Sequence, residues 1–167
     1  ILFSEETVRV TGRNSFGVKG ISLREGDAVV AMQLTAEGDE LLTVSAYGMG
    51  KRTELSEFHA QNRGGYGNLC HKLTEKTGQL VGAKLVREEQ EMLLITNTGV
   101  IIRISVSDIS KYGRLASGVK LMNIERDGEE EIRIAGIAKF KESMNAVQEN
   151  EGEAESNEDS EDIESNK

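Results

Sequence analysis

The sequence predicts an all-β fold, built as a propeller-like array of four-stranded antiparallel blades that forms only part of a ring. A Gly-rich segment of six residues occurs three times, at residues 12–17, 62–67 and 113–118, with spacings of 50 and 51 residues. That period is typical of propeller blades. Aromatic residues make up only 4% of the 167, so the core must rest on Val, Ile and Leu, which favour strands. The sequence contains no Pro, so every residue of the predicted strands has a backbone N–H group that can donate to a neighbouring strand.

Each repeat is predicted to contain about four short strands separated by Gly-containing turns. In the first repeat the strands are expected near residues 20–23, 28–34, 41–46 and 51–58. In the second they are expected at residues 82–86, 92–97 and 100–109. Ile102, Ile104 and Val106 alternate onto one face of the last of these strands, and Arg103 lies on the other.

The repeats divide the chain into blades. The predicted limits are 1–16 for the end of a preceding blade, 17–66 and 67–117 for two complete blades, 118–141 for strands of the last blade, and 142–167 for a disordered acidic tail. The tail contains ten acidic residues and one Lys, a sum of −9, whereas residues 1–141 contain 19 basic and 19 acidic residues. The tail offers little to bury, so it cannot offset its ordering entropy.

No constellation in the sequence resembles an active site. His59 and His71 have no Cys or carboxylate partners at metal-ligand spacing. Cys70 is the only cysteine and points away from its neighbour His71 if the two share a strand. No phosphate loop or dinucleotide fingerprint occurs. We therefore expect no catalytic residue, no metal and no cofactor in this chain, and no apolar run predicts a membrane span.

The recurring cations are the informative residues. Arginine or lysine occupies three positions of the repeat, and two further lysines, Lys51 and Lys111, complete the set. The predicted set is Arg13, Lys19, Lys51, Arg52, Arg63, Arg103, Lys111, Arg114 and Lys120. Equivalent positions in a ring of blades fall along one circumference, as a phosphate backbone following that edge requires. Spacing alone supports equally well the alternative that these cations pair with nearby carboxylates on a surface.

One segment resembles the heptapeptide box of bacterial DNA gyrase A subunits, Gln-Arg-Arg-Gly-Gly-Lys-Gly. It is Gln61-Asn62-Arg63-Gly64-Gly65-Tyr66-Gly67, which agrees at five of seven positions and departs at Asn62 and Tyr66. Further segments between residues 5 and 140, among them Gly50-Lys51-Arg52-Thr53 and Asp108-Ile109-Ser110, resemble the last blades of those proteins in order. The essential box of the family belongs to the first blade, whereas this copy lies about two blades from the end and is interpreted as a late, box-like echo.

The resemblance implies a β-pinwheel, in which neighbouring four-stranded blades exchange strands and duplex DNA wraps the basic outer edge. It implies a chain without catalytic residues inside an ATP-dependent type II DNA topoisomerase that introduces negative supercoils. The expected partners are double-stranded DNA, the rest of the gyrase A protein and the gyrase B protein in an A2B2 complex, without a membrane. ATP and Mg would be bound elsewhere in that complex, and the location would be the bacterial cytoplasm, at the nucleoid.

Three alternatives stand beside this interpretation. The A-type protein of topoisomerase IV has a similar domain with degenerate boxes. A protein-binding β-propeller would need an exposed apolar or aromatic patch, for which three Tyr and four Phe offer little. A glycan-processing propeller would need paired carboxylates, but the recurring acids Glu57 and Asp108 stand once per blade.

Overall fold

The computed structural model describes residues 1–124 and 131–140. Its strands are β1 (Glu40–Ser45), β2 (Met49–Glu54), β3 (Leu80–Val86), β4 (Glu91–Thr96), β5 (Ile101–Ser105), β6 (Val119–Lys120) and β7 (Ile134–Phe140). Short 3₁₀ turns lie at Glu5–Thr7, Thr35–Glu37, Leu55–Glu57 and Val106–Asp108. The predicted disorder of residues 142–167 and part of the predicted last blade, residues 125–130 and 141, lie outside the described residues.

The strands form two antiparallel sheets, which confirms the predicted fold class. One sheet has four strands in the order β3-β1-β2-β6, and the other has the described strands in the order β5-β4-β7. Each sheet contains one hairpin, β1–β2 or β4–β5, whose strands pair in register. Val44 pairs with Gly50 beside the tight turn of the first hairpin, where Gly48 adopts a φ of 79°.

Each hairpin is completed by a strand that comes much later in the sequence. β3 follows the second Gly-rich segment but pairs along the outer side of β1. β7 pairs with β4 in the same way. Consecutive parts of the chain are therefore interleaved, as the exchange of strands implied by the resemblance requires. The exact blade limits given above stay a prediction.

The repeat found in the sequence is visible in the structure. β4, β5 and β7 occupy the same places in their sheet as β1, β2 and β3 in theirs. A 3₁₀ turn recurs at residues 5–7, 55–57 and 106–108, with spacings of 50 and 51. The last glycine of each Gly-rich segment has a positive φ of 73°, 74° or 79°, respectively. The same local sequence therefore adopts the same local backbone three times.

Two predicted strands of the first repeat, residues 20–23 and 28–34, do not form. Residues 29–35 correspond to β3 by the repeat, but a strand requires a ladder partner. β3 pairs with β1, whereas no strand of the described residues pairs with residues 29–35. The segment is left with exposed apolar side chains, among them Met32 at 86% and Val29 at 61%.

The core lies between the two sheets and is shared by them. Its fully buried members come from β1, β3, β4 and β7 and from the segment that follows β5: Leu42, Val44, Val86, Met92, Leu94, Val106, Ile109 and Ile134. β3 approaches β7 closely at Gly82, where an added Cβ would lie 2.6 Å from Ile137 Cδ1. Such separations are well below van der Waals contact, so a larger residue at Gly82 would have to displace the Ile137 side chain.

Leu94→Ala tests this core. Leu94 is fully buried, and deleting its methyl groups should lower the free energy of unfolding by about 2–5 kcal/mol. The measurement is urea denaturation of the 167-residue chain followed by circular dichroism. Leu34→Ala is the matched control because Leu34 is 59% exposed. Equal losses from the two variants would show that β4 does not pack between the sheets.

Candidate nucleic-acid interface

We name the three Gly-rich segments turn 1 (residues 12–17), turn 2 (62–67) and turn 3 (113–118). Turn 2 is held by residues that follow turn 1. Gly64 N donates to the Gly20 carbonyl at 2.8 Å, and Ser22 N donates to the Gly65 carbonyl at 2.8 Å. The Ser22 hydroxyl donates to the Gly64 carbonyl at 2.6 Å. Turn 2 therefore lies against the segment one repeat earlier.

Turn 3 repeats this arrangement against the segment after turn 2. Lys72 N donates to the Ala116 carbonyl at 3.2 Å, and the Ser117 hydroxyl donates to the Lys72 carbonyl at 2.9 Å. Gly118 closes the turn with a φ of 79° and lies directly on the Gly50 backbone. Only glycine fits there, because a Cβ would clash with that carbonyl.

Five of the predicted cations lie in or next to the recurring turns, and the structure leaves three of these exposed and two half-buried. Arg13, Lys19 and Lys120 are exposed, and Lys120 Nζ donates to Asn123 Oδ1 at 3.3 Å. Arg63 is half-buried, with its Nη1 on the Lys19 carbonyl at 2.7 Å. Arg114 is also half-buried. All five lie in or next to the recurring turns.

Lys51 and Arg52 are not on the surface, so their predicted place on an exposed edge is wrong. Lys51 is 0% exposed and Arg52 is 3% exposed. Lys51 Nζ donates to the carbonyls of Gly113 and Arg114. The Arg52 guanidinium is paired with Glu40 at 2.9 Å. The segment around turn 3 covers this part of β2, so neither side chain is available to an external phosphate.

Burial shifts the pKa of Lys51 downward, against opposing electrostatic attraction from Cys70 and Glu57. The pKa of Lys111 is raised, mainly by its hydrogen bond to Glu40, which it contacts at 2.6 Å. Lys111 is already engaged by a carboxylate that it shares with Arg52, so Lys111 is a weaker candidate for phosphate than Lys19 or Lys120.

Arg103 is also engaged within the protein, although it remains near the surface. Its Nε donates to Glu91 Oε2 at 2.8 Å, and its guanidinium lies 3.7 Å from the centre of the Phe140 ring. The Arg103 side chain is 46% exposed. For this residue, the alternative of a surface ion pair with a neighbouring carboxylate describes the structure better.

The box-like motif has Asn62 and Tyr66 where the family box has Arg and Lys, so two of the three cations of that box are absent. Asn62, Gly65 and Tyr66 are exposed, whereas Gln61 is half-buried. Arg24 lies 5.7 Å from the centre of the Tyr66 ring, within cation–π range. A cation therefore stands beside the position where the family box has Lys. Arg24 was missed because no repeat or motif includes it, and the sequence carries no signal that would bring it to Tyr66.

His71 lies beneath turn 3 and beside Lys51. It is only 2% exposed, and its Nδ1 lies 3.0 Å from Thr43 Oγ1. Burial, with a smaller contribution from the positive charge of Lys51, lowers the pKa of His71 to about 4. The imidazole is therefore neutral at physiological pH and serves the packing of this turn, as the interpretation of His71 as a structural residue predicted.

Within residues 1–124 and 131–140, no group of three or more His, Cys, Asp or Glu side chains is placed to hold a metal ion. Over the same residues, no helix is long and apolar enough to cross a membrane.

The sequence matches a family described as DNA gyrase C-terminal domain, beta-propeller, over residues 1–36, 39–87 and 90–133. The DNA gyrase A protein of Staphylococcus epidermidis is 48% identical over 126 residues, which cover 74% of this chain and 14% of that protein. The DNA gyrase A protein of Staphylococcus aureus is 43% identical over 155 residues, which cover 92% of this chain and 17% of that protein. The chain thus spans less than a fifth of the length of either relative.

Two solved structures share the fold. A DNA gyrase A C-terminal domain superposes with a TM-score of 0.75 at 31% identity, over 83% of this chain and 46% of that one. A C-terminal domain of DNA topoisomerase IV superposes with a TM-score of 0.73 at 26% identity, over 83% of this chain and 42% of that one.

The buried neutral state of His71 predicts a pH-dependent stability. Its folded pKa of about 4 is below the ordinary 6.5, so the unfolded chain takes up the proton first as the pH falls. The stability that His71 contributes is complete above pH 6.5 and is lost between pH 6.5 and 4, by roughly 3 kcal/mol. Urea denaturation at several pH values should show a smaller loss for His71→Gln than for the parent chain.

His59→Gln is the control, because His59 is exposed and its substitution should leave the pH profile unchanged. Parallel profiles for the parent and His71→Gln would contradict the buried neutral imidazole.

Proposed function

Because this chain belongs to the family of DNA gyrase C-terminal domains, we propose that it binds and bends duplex DNA along the edge formed by its recurring turns. The observation that carries this proposal is the recurrence of the same turn at spacings of 50 and 51 residues. Four cations lie in or next to it, namely Arg13, Lys19, Arg114 and Lys120. Together they supply positive charge at regular intervals.

The contacts would go to phosphate. Lys and Arg side chains that neutralise phosphates release counterions and give an affinity that falls steeply with salt. Such contacts position the duplex without reading its sequence. The whole chain has a net charge of −9, but residues 1–141 are balanced at 19 basic and 19 acidic residues. The acidic excess therefore does not argue against DNA as the partner.

Bending a duplex requires several contacts acting together. Curving 20–30 base pairs by 40–90° costs about 1–6 kcal/mol. One exposed lysine cannot offset such a cost, but a series along a curved edge can. Turns in the same relation to successive sheets would supply that series, and the bent duplex would be wrapped as the parent enzyme requires for negative supercoiling with ATP.

The parent complex would contain the rest of the gyrase A protein and the gyrase B protein in an A2B2 assembly. In it, catalytic residues, ATP and Mg would lie outside this chain, which would contribute DNA wrapping. The complex would act in the bacterial cytoplasm at the nucleoid.

Topoisomerase IV is the second candidate for the parent enzyme, favoured by the structural likeness at 26% identity. The full-length protein that contains this chain, assembled with its ATPase partner, distinguishes the two. Introduction of negative supercoils into relaxed plasmid with ATP supports gyrase. Relaxation and unlinking without supercoiling supports topoisomerase IV.

Substitution of Lys19, Arg114 and Lys120 by Gln in the full-length protein tests the DNA edge. Each phosphate contact contributes about −0.9 to the slope of log affinity against log salt, so three should flatten it by about 2.7. The measurement is fluorescence anisotropy with a mixed-sequence duplex at several salt concentrations.

A control variant changes Arg87 and Arg133 to Gln. Both lie outside the recurring positions, so the slope should stay close to that of the parent. An unchanged slope in the triple variant would reject the DNA edge.

A further inference from the structure

Lys51 is a buried cation that holds a turn more than sixty residues later in the sequence. Its Nζ donates to the Gly113 carbonyl at 2.5 Å and to the Arg114 carbonyl at 2.8 Å. Close by on β2, the Thr53 hydroxyl donates to the Tyr112 carbonyl at 2.8 Å. Three successive carbonyls, from the residue before turn 3 to its second residue, are thus bound by side chains of one strand.

Arg52 extends this contact to the segment before turn 3. Its Nε donates to the Ile109 carbonyl at 2.6 Å, and its Nη2 donates to the Ser107 carbonyl at 3.2 Å. Glu40 neutralises the guanidinium at 2.9 Å and contacts Lys111 Nζ at 2.6 Å. Arg52 and Glu40 therefore anchor the chain that leads into turn 3.

The other repeats show that a cation is not required at the position of Lys51. A Cβ on Gly118 would lie 3.1 Å from Lys51 Cβ, and a Cβ on Gly67 would lie 3.0 Å from Ile1 Cβ. Ile1 thus occupies, under turn 2, the place that Lys51 occupies under turn 3. In the next hairpin the corresponding residue is Ile102. Burying a charge is costly unless it is paired and hydrogen-bonded, so apolar Ile is the less demanding choice, and Lys51 adds a contact that Ile cannot make.

The first residues of turn 2 are held differently. The backbone contact recurs, since Gln61 N donates to the Leu2 carbonyl at 2.8 Å and Tyr112 N donates to the Arg52 carbonyl at 2.8 Å. The side-chain contact of Lys51 has no counterpart under turn 2, since the side chain of Ile1 has no hydrogen-bond donor. Instead, Arg63 of turn 2 uses its own guanidinium on the Lys19 carbonyl. In turn 3, Lys51 satisfies the carbonyls of Gly113 and Arg114 from below.

We propose that Lys51 is a positioning residue for turn 3: its ammonium group fixes the Gly113 and Arg114 carbonyls toward the interior and so presets the Arg114 side chain for phosphate. Its consequence for DNA rests on the proposed function, whereas its effect on the turn does not. A loop already ordered before binding loses less conformational freedom on binding, which raises affinity without a new contact.

The first experiment needs no DNA. Hydrogen exchange of residues 112–118 is measured in the full-length protein that contains this chain, with Lys51→Ile as the variant because Ile stands there in the other repeats. Loss of two hydrogen bonds from a charged donor should speed exchange in this segment about tenfold or more. Lys51→Met, which keeps an unbranched stem, should do the same and serves if Lys51→Ile fails to fold. Arg103→Gln, at the position equivalent to Arg52 in the next hairpin, should leave the segment unchanged.

The second experiment is a double-mutant cycle on DNA affinity, using a mixed-sequence duplex and the variants Lys51→Ile, Arg114→Gln and their combination. Lys51→Ile should weaken binding at least about twofold when Arg114 is present. It should have no effect when Arg114 is already Gln. A purely structural role would not depend on Arg114 in this way.

The outcomes separate the two proposals. Unchanged exchange in both Lys51 variants overturns the positioning role, whatever happens with DNA. Equal losses of affinity with and without Arg114 also overturn it, because Lys51 would then act on DNA independently of Arg114. Faster exchange together with no effect of Arg114→Gln on affinity or salt slope would show that Lys51 orders turn 3. It would also show that turn 3 does not bind phosphate, which overturns the role of Lys51 in DNA binding.

Discussion

The structure depends on one requirement: each β-hairpin needs a third strand on its outer side, and the chain supplies it only after passing through the next Gly-rich turn. β1 obtains β3, and β4 obtains β7. This delay makes neighbouring repeats share a core, because the late strand brings its own apolar face with it. It also returns the chain to the side of the preceding hairpin, where turns 2 and 3 each lie against the segment one repeat earlier.

The periodic part of this architecture was predictable from the sequence. The spacing of the Gly-rich turns identified the repeat, and alternation placed Ile102 and Ile104 on the inner face of β5, where they pack against the core. The absence of strands at residues 20–23 and 28–34 was not predictable in the same way. Their residues suit a strand, but strand formation also needs a partner, and the sequence of a segment does not contain its partner.

Arg52 and Arg103 show where site prediction from the repeat ends. Both lie on the face of their strand opposite the inward Thr53 or Ile104, so alternation predicts the same exposure for both. The segment leading to turn 3 covers Arg52, which is 3% exposed, whereas the Arg103 side chain keeps 46%. A pattern within one strand assigns a side chain to a face but cannot say whether another part of the chain lies over that face. The exposed cations beside the turns were predictable, and the buried ones were not.

The delayed third strand has a further consequence for the way such proteins change over generations. A gene duplication or deletion would leave every hairpin with an outer strand only if it added or removed a whole number of repeats. A change of any other length would leave one sheet without its outer strand and another with an extra strand. Arrays whose stability comes from contacts between adjacent units tolerate changes in unit number. The interleaving of β3 and β7 therefore favours growth in steps of one repeat and penalises partial insertions.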